Sequence, residues 1–124
     1  MLIVDAANVV GSRPDGWWRD RPGAAARLVA RLRSSEIAGR HRVVVVLEGQ
    51  ARAGVAEGTV TDGVEVRHAT GEGDDLVVEL AAAFGAAGQE VLVVTADRGL
   101  RDRVTDVGAR VEGPRWLEAR LPAR

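Results

Sequence analysis

The chain has 124 residues and a mass of 13.1 kDa, against roughly 100 to 200 residues for a typical domain, so residues 1–124 are read as one domain with one core. All 17 basic residues are arginine, and with 18 acids they leave a net charge of −1. The lack of lysine excludes a P-loop amine, a Schiff-base nucleophile and the lysine counter-charge of receiver and haloacid-dehalogenase sites. The lack of cysteine excludes thiol nucleophiles, disulfides and thiolate metal sites. His41 and His68 are too few for a multi-histidine zinc site. Any catalysis therefore falls to carboxylates, arginines, hydroxyls, amides or a bound cofactor.

The opening MLIVDAANVV has no basic leader, and Asp5 interrupts its apolar stretch, so it does not read as a secretory signal. No apolar run approaches the eighteen or so residues of a membrane span. A soluble, cytoplasmic protein without membrane contact is expected.

In chain order, Leu2-Ile3-Val4 is a short apolar β-branched run and reads as a strand buried on both faces. Gly11 to Arg21 reads as a polar, glycine- and proline-punctuated loop that carries Trp17 and Trp18. Asp20, with Pro22 just inside, opens a helix over Gly23 to Ser35. Val43 to Leu47 is a second buried strand, and Val64-Glu65-Val66 alternates as a modest third. Asp74-Asp75 opens a helix from Leu76 to Ala87, with Gly88 as its C-terminal stop. Val91 to Val94 is another buried strand, followed by a helix over Arg98 to Val107 ended by Gly108. A short edge strand at Ala109 to Val111 and a helix over Pro114 to Leu121, with Trp116 in the core, complete the chain. Alternating strands and helices predict an α/β fold, a three-layer open and mainly parallel sheet with helices on both faces. Such sheets bind ligands at the carboxyl edge, where the strand order reverses.

That edge is where the acids gather. The first strand ends in Asp5 with Asn8 close behind, the second in Glu48, the Val91 strand in Thr95-Ala96-Asp97, and a helix opens with Glu72-Gly73-Asp74-Asp75. Taken singly, Asp97 or one of Asp74 and Asp75 reads equally well as a helix N-cap worth about 1 kcal/mol, Asp5 as a turn residue and Glu48 as a solvated loop end. Their number points elsewhere. Two carboxylates about 5 Å apart repel by roughly 3 kcal/mol at an effective dielectric near 20, so a cluster must take up protons or a cation. Hard oxygen donors suit Mg²⁺ or Mn²⁺, which can lower the pKa of a water and direct it at phosphorus without lysine, cysteine or histidine. Thr95 is a candidate for orienting water or phosphate. Arg13, Arg19, Arg21, Arg98, Arg101 and Arg103 form a candidate phosphate rim, and Trp17 a candidate surface for stacking on an unpaired base. Arg27, Arg31 and Arg33 read as a solvated helix face, and His68 as a loop histidine near the acids.

The same segments carry a family resemblance. Leu2 to Gly11 (LIVDAANVVG) resembles the opening strand motif of NYN-type, PIN-like nucleases, and Val45-Val46-Leu47-Glu48-Gly49 resembles their second strand with Glu in place of Asp. Glu72-Gly73-Asp74-Asp75-Leu76 and Thr95-Ala96-Asp97-Arg98-Gly99-Leu100 are similar to the helix start and acidic turn shared with the 5′-nuclease domains of DNA polymerases. Gly108-Ala109-Arg110-Val111 resembles the closing strand. The match runs in order over most of the chain. Two departures stand out: Gly99 replaces a second Asp, and the region arching over substrate is reduced to residues 49–63.

The resemblance, nearest to bacterial ribosome-linked endoribonucleases, implies Mg²⁺- or Mn²⁺-dependent cleavage of RNA. Asp5, Asp74 and Asp97 would form the catalytic metal core, with Asp75, Glu72 and Glu48 as direct or water-mediated supports. Asn8 would orient the first carboxylate or touch the phosphate; Thr95, Arg13, Arg98, Arg101 and Trp17 complete the substrate-binding set. RNA is the expected partner, and a ribosome or a second copy of the chain are open alternatives. Two other readings stand beside it: a PIN-like RNA- or partner-binding module without turnover, motivated by Gly99 and the near-neutral charge, and the toxin of a toxin–antitoxin pair, motivated by small size.

Overall fold

The computed structural model describes residues 1–12, 15–58 and 61–122. Strand β1 (Leu2–Asp5) runs directly into α1 (Ala6–Gly11), and a 3₁₀ turn at Trp17–Arg19 precedes α2 (Arg21–Arg33). Then come α3 (Glu36–Arg40), β2 (Val43–Leu47), a 3₁₀ segment at Gly49–Gly54, β3 (Val64–His68) and α4 (Gly73–Ala86). The chain closes with β4 (Leu92–Val94), α5 (Arg98–Asp106), β5 (Arg110–Glu112) and α6 (Pro114–Glu118). Among the described residues no helix is long and apolar enough to cross a membrane.

The five strands form one all-parallel sheet in the order β3-β2-β1-β4-β5. Alternate residues of each strand serve opposite layers, as the two-residue period of a strand requires. Leu2, Val4, Val43, Val45, Leu47, Val64, Val66 and Val94 pack with α1, α2, α3 and α6, whereas Ile3, Val44, Val46 and Val93 pack with α4 and α5. Both faces are thus covered, which explains why the central strands are continuous apolar runs. The fold is the three-layer α/β architecture expected, and among the described residues no antiparallel strand joins the sheet.

Sequence and structure differ where helices are short. Helices α1 and α3 both fall where the sequence shows no element of its own, save that Gly11 at the end of α1 reads as the start of a loop. Neither is long enough to show a 3.6-residue apolar stripe. Asp20 caps α2 by accepting from Gly23 N at 3.0 Å, and Ser35 caps α3 by accepting from Ala38 N. Gly88 and Gly108 follow α4 and α5 at φ 87° and 89°, conformations that favour glycine. Trp116 is half-buried at the rim of the core, with the Arg120 guanidinium 4.2 Å from its ring centroid. Arg31 is not solvated: it pairs with Glu118 and donates to Pro122 O.

The order places the chain reversal at β1. From β1 the chain builds outward through β2 to β3, then returns to the other side of β1 for β4 and β5. The crevice at a topological switch point lies outside the carboxyl ends of such strands, here between Asp5 and Thr95. The Gly49–Gly54 segment that leaves β2 at this edge lies against the start of α2, where a Cβ on Gly54 would stand 2.1 Å from the Pro22 carbonyl oxygen. Backbone cannot yield as a side chain can. Gly54→Ala is expected to lower stability by about 1–3 kcal/mol in a urea titration, while Gly39→Ala, on open helix surface, is expected to be neutral or stabilising by about 0.4–1 kcal/mol.

Candidate active site

Asp5 ends β1, paired with Val46 in register, and is 1% exposed. A buried carboxyl needs hydrogen-bond partners. Asn8 Nδ2 donates to Asp5 Oδ2 at 2.6 Å, from one turn along α1, and Thr95 Oγ1 donates to the same oxygen at 2.9 Å from the end of β4. Thr95 is fully buried and its hydroxyl also accepts from Asp97 N at 3.1 Å. Asp97 in turn caps α5, its Oδ1 accepting from Leu100 N at 2.9 Å. One chain of hydrogen bonds therefore runs Asn8, Asp5, Thr95, Asp97 across the switch point. Gly99 lies beside it, and a Cβ there would be 3.3 Å from Asp97 Oδ1.

The second group of acids comes from the other side of β1. Glu72 is the N-cap residue of α4 by position, yet its side chain makes no capping bond. The Glu48 carboxyl, at the end of β2, lies close to the Gly73 N–H, which favours its charged form. A Cβ on Gly73 would stand 2.9 Å from Glu48 Oε1, so glycine between Glu72 and Asp74 keeps this approach open. Asp74 and Asp75 occupy the first turn of α4, a favourable place for negative charge. They diverge: Asp74 is half-buried and senses Asp5, Asp97 and Glu72, whereas Asp75 is exposed and accepts from Arg103 Nη2 at 2.9 Å. Arg103 is thereby spent on a carboxylate instead of a phosphate rim.

Burial is the main force on the ionisation of the inner acids. It raises Asp5 above its ordinary 3.8, against the hydrogen bonds from Thr95 and Asn8, and the charge of Asp97 adds to the rise. Glu48 is raised above 4.5, first by burial and then by Asp5, Asp74 and Glu72, with the Gly73 N–H opposing. Asp74 is raised above 3.8 by burial, then by Asp5, Asp97 and Glu72, with Arg103 opposing. The three raised acids thus repel one another directly. In type and charge this donor set suits a hard divalent cation; in distance it does not yet do so, because among the described residues no three acidic or histidine side chains are grouped to hold a metal ion.

The remaining candidates are spread around this edge. Arg98 and Arg101 are exposed on α5, and Arg13 lies outside the described residues. Trp17 is half-buried, with the Arg21 guanidinium 5.4 Å from its ring centroid, and the more exposed Trp18 meets it edge-on at 6.2 Å. His68 serves the loops and not the acids, since its Nε2 bonds Val55 O at 2.8 Å and its N–H donates to Glu57. Arg52, which the sequence does not single out, donates to Gly49 O and Ala69 O and so ties the loop after β2 to the loop after β3. An arginine among small residues directly after Glu48 is the only sequence signal of it.

No family model matches the chain, and no curated protein matches it significantly. Among solved structures it is similar to Rae1 (YacP) from Bacillus subtilis, with a TM-score of 0.79 and 22% identity over 96% of this chain and 71% of that one. The W164L mutant of the same protein gives a TM-score of 0.73 and 21% identity, covering 95% of this chain and 71% of that chain. Likeness at this identity establishes the fold.

Raised carboxyl pKa values have a definite consequence for stability. At these three positions the folded chain keeps protons that the unfolded chain releases, so their contribution to stability is fully present at low pH and is lost as pH rises from about 4 through the raised values. Asn at position 5 can still accept from Asn8 and Thr95 but carries no charge. Asp5→Asn is expected to raise Tm by a few degrees at pH 7 to 8, with the gain shrinking as pH falls toward 4. An unchanged or lower Tm at neutral pH would contradict the assigned burial cost.

Proposed function

We propose that the chain is a metal-dependent endoribonuclease of the NYN/PIN-like type that hydrolyses RNA phosphodiester bonds. The observation that carries this reading is the buried Asp5 carboxyl at the switch point, in electrostatic reach of Asp74, Asp97 and Glu48 and raised in pKa with two of them. The fold likeness to Rae1 (YacP) supports the architecture on which the reading stands.

Asp5, Asp74 and Asp97 are the residues that would hold Mg²⁺ or Mn²⁺, with Glu48, Glu72 and Asp75 around them. When bound, such an ion would supply positive charge and lower the pKa of a water. The chain's own part is positioning. Asn8 and Thr95 fix the Asp5 carboxyl in one rotamer, and Thr95 carries that constraint to the turn that presents Asp97. Arg98 and Arg101, exposed one turn beyond Asp97, add positive charge to an otherwise acidic edge and draw the phosphates of a strand toward it. A second reading, a PIN-like RNA-binding module without turnover, is favoured by the wide spacing of the acids and by Gly99.

Asn is as good an N-cap as Asp, so Asp97→Asn should fold normally. With Mn²⁺ and unstructured RNA the wild-type chain is expected to cut while Asp97→Asn falls to background, and calorimetry should show Mn²⁺ uptake that the variant loses. Equal cutting by both proteins would sink the nuclease reading. RNA binding with neither cutting nor Mn²⁺ uptake would establish the second one.

A further inference from the structure

We propose that a cavity beside Asp5 receives one unpaired nucleobase of the RNA strand, which makes the substrate single-stranded at that position. The inference rests on the reading that an RNA strand crosses this edge, and does not require that the strand be cut.

A cavity of about 220 Å³ opens between α1, the Trp17–Arg19 turn, the start of α2 and the Gly49–Gly54 segment. Its size suits a single ring system. Three features mark it out from a packing gap. First, Ala7, Ala25 and Ala51 line it, each with a side chain too short to fill the space. Second, Trp17 and Arg21 both line it, the Arg21 guanidinium 5.4 Å from the Trp17 ring centroid. The indole and the guanidinium are both planar groups on which unpaired bases stack, whatever their identity. Third, Glu48 belongs to both the cavity and the acid group, so the cavity adjoins the acids. A larger cavity of about 570 Å³, bordered by His41 and Trp116, shares no residue with the acid group.

A base locked in a duplex would have to be unpaired and extruded before entering. A strand with free bases meets no such barrier. Stacking of one base typically changes affinity by about 5- to 150-fold, enough to set where along a strand the acids sit.

The test uses labelled hexaribonucleotides, each abasic at a different position, titrated against the full chain by fluorescence anisotropy without divalent ions, so that no cleavage can occur. The wild-type chain is expected to lose about tenfold in affinity at one position only. Ala7→Leu places a larger side chain at the exposed mouth of the cavity without burdening the core, and should abolish that discrimination; Trp17→Leu should do the same, and Trp17→Phe should retain most of it. Equal binding of all hexamers, a loss spread evenly over every position, or Ala7→Leu and Trp17→Leu that discriminate as wild type does would each overturn the cavity. A greater loss from Trp18→Ala than from either variant would overturn it as well, in favour of surface stacking. Failure to cut RNA with Mn²⁺ alongside a single sensitive position would remove the nuclease reading and leave the base site standing.

Discussion

The three central strands of this parallel sheet, covered on both faces, have nowhere along their length to keep a charge, and the site depends on that constraint. Val4, Val45 and Val94 are sealed under one helical layer, Ile3, Val44 and Val93 under the other. In these strands polar side chains appear only at the ends. β1 lies between β2 and β4, so its carboxyl end is flanked on both sides. Asp5 therefore carries a carboxyl at a site 1% exposed, and Thr95 and Asn8 are the partners that make its burial tolerable.

The acids differ in how they are stabilised, and the difference sorts them by role. Asp97 caps α5 and Asp75 pairs with Arg103, so each has a local partner of its own. Asp5, Asp74 and Glu48 are set against burial and against each other. Folding energy from two apolar layers holds together three groups that would separate in water. This is the pattern expected where a site is built for a ligand instead of for stability. Glu48 brings its charge into the group from the end of β2, beside the Gly73 N–H at the start of α4.

The cavity beside these acids shows the same logic in apolar form. Alanines on α1, α2 and the Gly49–Gly54 segment leave a space that Trp17 closes on one side, and Arg52 and Gly54 fix the segment that forms its far wall. Acid group and cavity meet at Glu48 because the chain leaves β2 there. Loops after neighbouring parallel strands must emerge at the same edge, so independent sequence segments are brought to one place by topology alone.

Much of this was legible in the residues. Continuous β-branched runs at residues 2–4, 43–47 and 91–94 required buried strands, and the alternation of strand with helix required a parallel sheet whose acidic strand ends share an edge. The sequence by itself determined which residue types stand at that edge, since without lysine or cysteine carboxylates, hydroxyls, amides and arginine were left to work there. Helices α1 and α3 were hidden because five or six residues show no apolar period. Only the tertiary structure decided which acids face one another and which do not. Asp74 and Asp75 are adjacent in the chain, but the roughly 100° between successive helix positions gives them different neighbours, Asp5 for the one and a hydrogen bond from Arg103 for the other, and Glu48 approaches Gly73 across 25 residues of sequence. Such pairings depend on how helices dock on a sheet, a property of the packed layers and not of any local stretch of sequence.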